Sequence, residues 1–173
     1  MSPGDRLVDA LRRAHDGEPW HGPSRADVLA DVTAREAAYD PGAGVHSLWE
    51  LVLHMRSWTE EVLRRAKGGT PGEPVNGDWP AMPAKRDDKA WREALRSLDA
   101  AHEELVAFVA SLSDERRASP GRSATREAPG TGITQRAMIR SLAEHDVYHT
   151  GQLAVLKRIA RAALNDSSPT PSK

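Results

Sequence analysis

Residues 138–159 read MIRSLAEHDVYHTGQLAVLKRI, and the pattern within them decides the fold. Stepping by four and three selects Met138, Leu142, His145, His149, Gln152, Leu156 and Ile159, the spacing of a core-facing helical stripe. Its ends are aliphatic, but its middle is two imidazoles and a carboxamide. Three polar side chains in a row on a buried face are unfavourable unless something satisfies them. Imidazoles one helical turn apart can share a single cation. The stretch therefore predicts both a long helix and a metal centre built on it.

Composition narrows what surrounds that helix. The chain has 173 residues, enough for one domain with a real core. Hydrophobic residues make up 39% and charged residues 28%, which places it among soluble globular proteins. Lys plus Arg (24) nearly balances Asp plus Glu (25), for a net charge of -1, which argues against a nucleic-acid partner. With no cysteine, disulfides, thiolate metal sites and cysteine nucleophiles are excluded. A metal here must be held by nitrogen and oxygen. Met1-Ser2-Pro3-Gly4-Asp5 lacks an apolar signal core, and no apolar run approaches the ~20 residues needed to span a membrane. The expected location is cytoplasmic, with no membrane partner.

Three more long helical patterns lie upstream. The first runs from about Gly4 to His15, with Leu7, Val8 and Leu11 on one face. Trp20-His21-Gly22-Pro23 breaks it, and Ser24 reads as the N-cap of a short helix carrying Val28, Leu29 and Val32. Ser47-Leu48-Trp49-Glu50 reads as a capping box opening a helix that fades at Gly68-Gly69. The Gly- and Pro-rich stretch from Gly68 to Pro83 can cross a bundle from end to end, and its Trp79 is available to cover an opening. A third long helix, roughly Lys85 to Leu112, carries a seam of Trp91, Leu95, Leu98, His102, Leu105, Val109 and Leu112. Another loop, Ser119 to Gly132, follows, and Thr131 or Thr134 caps the last helix. No run alternates with period two. The expected fold is all-α: an antiparallel four-helix bundle with a long crossover connection. It forms a single domain over 1–165, and 166–173 is a flexible Ser/Pro-rich tail.

The seven histidines are not equivalent. His145 and His149 replace seam residues of one helix, and His54 lies between Leu51 and Trp58 at helical spacing on another. Metal sites in bundles are built from side chains on facing helices, so these three form a natural ligand set. His102 is a further seam histidine that could close the shell. Its simpler account is a hydrogen bond to a carbonyl, Glu103 or Asp99. His21 and His46 are placed to line a mouth, and His15 is expected on the surface. The capping box accounts for Glu50 without a metal. Asp146, one residue off the stripe, either orients an imidazole through its second nitrogen or faces solvent. Gln152 is a candidate partner for metal-bound water or for a facing helix. The phosphate-loop, Gly-x-Ser-x-Gly and paired Glu-x-x-His patterns are missing, so a mononuclear site is expected.

Three stretches then carry a family resemblance: residues 20–24, His46 to His54, and Glu144 to Gln152. Together with Ala90-Trp91-Arg92-Glu93-Ala94-Leu95 they make the chain resemble the DinB-like superfamily of four-helix-bundle metalloproteins over most of residues 5–160. In that family one histidine of the second helix and two of the last bind a divalent metal, positions matched here by His54, His145 and His149. The resemblance also implies a homodimer and activities that include thiol-dependent S-transfer and isomerisation.

The expectation is thus a metal-dependent enzyme with a mononuclear three-His site and an open coordination position, as catalytic zinc sites have. One divalent ion per chain is expected, Zn first, with Ni, Fe or Mn also suited to an all-nitrogen site. The chemistry would be transfer or hydrolysis by a metal-activated thiol or water acting on a small-molecule substrate. Any thiol must come from a low-molecular-weight cosubstrate. Gln152, Tyr148 and Glu144 are the candidates for positioning it, and Trp20, Trp49, Trp58 or Trp79 for walling the pocket. The alternative is a non-catalytic bundle that uses the metal for stability while binding a ligand or protein.

Overall fold

The computed structural model describes residues 3–20, 22–112 and 133–166. All six elements among them are helices: α1 (Pro3–His15), α2 (Arg25–Leu29), α3 (Ala34–Ala37), α4 (Leu48–Ala66), α5 (Asp88–Ser111) and α6 (Gln135–Asp166). No helix in the described residues is long and apolar enough to cross a membrane. His21, Thr131, the 119–132 loop and the tail from 167 onward lie outside the described residues.

Side-chain caps start α2 and α4 at the serines the sequence implies, whereas the short helix expected to carry Val32 ends at Leu29, a separate α3 follows Thr33, and α5 begins at Asp88 instead of about Lys85. Capping boxes open α2 at Ser24, α3 at Thr33 and α4 at Ser47, and the Asp87 side chain accepts from Ala90 N to open α5. Thr134 Oγ1 accepts from Ala137 N at 3.1 Å at the start of α6. Each such cap satisfies backbone donors that would otherwise be orphaned, contributing about 1 kcal/mol.

The four long helices form a ring in which α4 touches α5 and α6, and α1 touches the same two, leaving α1 diagonal to α4 and α5 diagonal to α6. Helix α6 runs against α4: Gln135 Nε2 donates to Ala66 O at 2.7 Å at one end, and His145 meets His54 further along. Helices α4 and α5 run the same way, with Trp49 packed on Trp91 at 5.1 Å and Lys67 paired with Glu104 at 2.6 Å. The long crossover is the consequence, since a parallel pair cannot be joined by a tight turn. Trp91 also donates its indole N–H to Val32 O at 2.8 Å, tying the 30s segment to α5.

The buried row of α6 is Ile139, Leu142, Asp146, His149, Leu153, Leu156 and Ala160. This corrects the stripe inferred from sequence. Leu142, His149 and Leu156 keep their places, but the alternate row is Ile139, Asp146, Leu153 and Ala160 instead of Met138, His145, Gln152 and Ile159. The helix is rotated so that His145 and Gln152 lie half-buried at the edge of the seam and Ile159 is exposed. The histidine pair therefore straddles the core's margin, with His149 buried and His145 at the edge.

Two apolar clusters make up the core. One gathers Leu48, Trp49, Met55, Trp91, Leu98 and Leu153, and the other Leu7, Leu11, Val62, Leu105, Val109 and Ile139. Between them on every long helix lies polar material, and two of its members depart from expectation. His15 is buried, not on the surface, and stacks on His102 at 4.0 Å between ring centroids. His102 Nε2 has no hydrogen-bond partner, so stacking stands in place of the expected bond.

Burial holds the His102 imidazole down to about 3 and lowers that of His15 as well. Both are neutral in the folded chain at neutral pH, whereas the unfolded chain takes up protons as pH falls through about 6.5. Stability is thus full above that value and is lost as pH falls toward the depressed folded values. In the presence of a chelator, the urea midpoint should drop between about pH 7 and pH 4.5. His102→Phe, which keeps a ring and removes proton uptake, should give a shallower slope; an equal slope would mean other groups carry the dependence.

Candidate metal centre

Helices α4 and α6 each bring their histidines to the same point. His54 Nε2 lies 3.1 Å from His145 Nε2, and His149 Nε2 lies 3.0 Å from that same atom. Among the described residues this is the one group of three potential metal ligands, its donor atoms all within 4.8 Å of one another.

Hydrogen-bond donors and acceptors decide whether the three rings suit a cation. A neutral imidazole carries one N–H, and its location follows from what the other nitrogen meets. His54 Nδ1 faces the main-chain oxygen of Asp78 at 2.7 Å, which can only accept. His149 Nδ1 faces Gln152 Oε1 at 2.6 Å, likewise an acceptor. Both rings therefore carry their proton on Nδ1 and present Nε2 lone pairs toward His145. One proton on His145 Nε2 could bridge only one of those contacts, leaving the other lone pair to lone pair. A divalent ion accepting all three lone pairs removes the conflict, and His145, His149 and His54 are the residues that would hold it.

A second pair of orphaned atoms points the same way. His145 Nδ1 and Asp146 Oδ1 are both buried without a hydrogen-bond partner, and they lie 3.7 Å apart. With its proton on Nδ1, beside the carboxylate, His145 would leave Nε2 free for a metal, and a carboxylate in that place is a common outer-shell support of a ligating histidine. Burial pushes His149 down to about 4 and lowers His54 too, so both rings are neutral at physiological pH, the form that ligates.

Asp146 itself is anchored from behind. Its Oδ2 accepts from Arg25 Nη1 at 3.1 Å, with the two side chains 3% and 1% exposed. Arg25 Nη2 contacts His15 Nδ1 in turn. Breaking such a buried pair on one side typically costs about 3–5 kcal/mol. Sequence reading has no cue to Arg25, which sits in an ordinary capped helix start; only the packing of α2 against α6 brings it to Asp146.

The crossover supplies the outer wall. Gly77 adopts φ +82°, a conformation that favours glycine, and its carbonyl accepts from Ser57 Oγ at 2.7 Å. That turn delivers Asp78, whose Oδ1 also accepts from Trp58 Nε1 at 2.6 Å, and then Trp79, which stacks on His54 at 4.0 Å and on His46 at 3.5 Å. Asp78 contributes a main-chain oxygen to the site, so no side-chain motif could have revealed it.

The remaining candidates sort by position. Gln152 holds His149 and donates to Tyr148 Oη at 3.2 Å, within α6 and not across helices. Tyr148 is 64% exposed and meets His149 edge-on at 5.0 Å. Glu144 is ion-paired with Arg140 at 2.9 Å and lines a separate groove beside Trp20. Glu50 serves its capping box, and His102 lies with His15, outside the trio. Of the four tryptophans expected to wall the pocket, Trp79 and Trp58 flank the site, Trp49 is buried in the core, and Trp20 lines the other groove.

Comparison with known proteins matches this architecture. A family model described as the DinB superfamily matches residues 24–153. The chain belongs to the DinB superfamily. No curated protein sequence matches it. Among solved structures, a conserved protein from Enterococcus faecalis is similar with a TM-score of 0.67 and 15% identity, over 94% of this chain and 99% of that one. At that identity the likeness speaks for the fold alone.

Metal titration of chelator-treated protein should reach one divalent ion per chain, and His54→Ala, His145→Ala or His149→Ala should each abolish it. Gly77→Ala and Gln152→Leu remove no ligand, yet each should weaken binding about 10- to 100-fold through the outer-shell bonds to His54 and His149. Wild-type affinity in both variants would mean that those bonds do not orient the rings.

Proposed function

We propose that the protein is a metal-dependent enzyme in which the three-His centre activates a small-molecule thiol, or water, for transfer or hydrolysis. The observation that carries this reading is the open side of the trio. Among the described residues no fourth histidine or carboxylate joins the group, and His149 lines a cavity of about 630 Å³ that reaches the surface. Structural metal sites are usually closed by four protein ligands, whereas catalytic ones keep a position for water or substrate. A divalent ion held by the three imidazoles would supply Lewis acidity, lowering the pKa of a thiol or water so that it is a nucleophile at neutral pH.

The chain's own residues then have defined tasks. Asp78 O and Gln152 keep the protons of His54 and His149 on Nδ1, so that both Nε2 atoms stay available. Trp79, stacked over His54, shields that side of the centre from water. Tyr148 Oη accepts from the Gln152 amide, which leaves its own O–H to donate to a molecule in the cavity. Because the chain contains no cysteine, a thiol nucleophile has to arrive as cosubstrate. Superfamily membership favours the thiol over water, since thiol-dependent transfer is among the activities that the resemblance implies.

The test is reconstitution with Zn, Ni, Fe or Mn followed by assay of low-molecular-weight thiols against 1-chloro-2,4-dinitrobenzene. In that reaction the thiolate sulfur bonds to the ring carbon, chloride leaves, and the thiol proton goes to solvent. Turnover should require both metal and thiol, vanish in His145→Ala, and fall in Tyr148→Phe through kcat with metal content unchanged. Stoichiometric metal with neither thiol transfer nor ester hydrolysis above background would favour the non-catalytic bundle instead.

A further inference from the structure

Resting on the reading of the trio as a catalytic centre, we infer that the cavity beside His149 takes the uncharged, apolar body of the substrate, and that Gly151 is there to leave room for it. Three observations converge. The cavity walls contain no Asp, Glu, Lys or Arg, and their apolar part is built from Val45, Leu51, Trp79, Val155, Leu156 and Ile159. A carboxylate, phosphate or ammonium placed against that apolar part would lose its water without gaining a charged partner. A volume of about 630 Å³ is that of a small-molecule site, within the usual range of roughly 300–1,000 Å³.

The second observation is the glycine. Gly151 lies inside the 32-residue helix α6, where glycine is less favourable than alanine. A Cβ added there would meet nothing within 4 Å, so no close backbone approach within the chain demands it. It lines the same cavity, between His149 and Gln152 on one side and Val155 on the other. A glycine that weakens its own helix where a Cβ would have met nothing within 4 Å is explained if the empty volume is used.

The third is the distribution of exposed apolar side chains. Val45, Trp79, Tyr148, Val155 and Ile159 all line this cavity and are exposed, the first by 52% and the last by 43%. On the far side of the 44–46 segment a separate cavity holds Asp40, Glu50 and Arg86. Charge is thus available nearby, and the chamber next to the histidines excludes it. The occupant is small and neutral, with an aromatic or aliphatic body that packs on the Trp79 face.

Gly151→Leu provides the test, because leucine is a better helix former than glycine, its Cβ meets nothing within 4 Å, and its side chain takes up part of the chamber. Two probes share one skeleton and differ by a single charge: N-phenyl-1-naphthylamine, which is neutral, and 8-anilino-1-naphthalenesulfonate. Wild type should bind the neutral probe at least about tenfold more tightly than the sulfonate, with or without metal. Gly151→Leu should keep its metal stoichiometry, melt at an equal or higher temperature, and bind the neutral probe at least about tenfold more weakly. In the metal-loaded enzyme, the KM for 1-chloro-2,4-dinitrobenzene should rise while metal content holds. Preference for the sulfonate, or equal probe binding by wild type and variant, would overturn the inference. So would a wild-type dimer that Gly151→Leu converts to monomer without any probe binding, since the face would then be an interface between copies. Failure of the metal reading looks different: no metal is retained, yet the neutral probe still binds and Gly151→Leu still blocks it.

Discussion

A layer of polar side chains crosses the bundle between two apolar clusters, and the rest of the structure is arranged around satisfying it. His15, Arg25, His54, His102, His145, Asp146 and His149 all lie at this level, contributed by α1, α2, α4, α5 and α6. Desolvating so many polar groups is unfavourable unless each finds a counterpart. The Arg25–Asp146 pair sits at the centre, with the stacked His15 and His102 rings behind it and the three Nε2 atoms in front. Sliding any helix by a turn would set a charged or imidazole group against aliphatic packing, so the layer also fixes helix register. A buried polar constellation used as a register device is an established role for such groups.

The direction of the helices decides what surrounds the trio. Because α4 and α5 run parallel, the chain must return along the bundle between them, and that return places Asp78 and Trp79 against His54. A connection needed for topology thereby becomes a wall of the site. The opposite wall is the exposed margin of α6, where Tyr148, Gly151 and Val155 border the cavity. The result is a candidate metal site at the boundary between core and solvent, flanked by the stacked Trp79 ring and by the cavity along α6.

Much of this was readable before any coordinates. The capping boxes at Ser24 and Ser47 placed two helix starts, the turn-rich 68–83 segment announced the crossover, and the spacing of His145 and His149 with His54 identified the trio. The rotation of α6 was not readable. A stripe with an acidic residue looks less buried than one with histidines, and single-helix periodicity cannot reveal that Arg25 waits on a neighbour to neutralise Asp146. His15 was misjudged for the same reason: as the last residue of an amphipathic helix it looks solvent-facing until His102 supplies a ring to stack on.

The sequence by itself determined the helical class, the helix starts at Ser24 and Ser47 and the identity of the three imidazoles, because caps, periodicity and i, i+4 spacing are local properties of the chain. Only the tertiary structure decided which nitrogen each ring presents, which face of α6 is buried and where the cavity opens. Those depend on groups remote in sequence, namely the Asp78 carbonyl beside His54, the Arg25 guanidinium beside Asp146 and the Trp79 ring over His54. Tautomer, orientation and access follow from the partners a side chain meets after folding, and spacing along a chain carries no record of them.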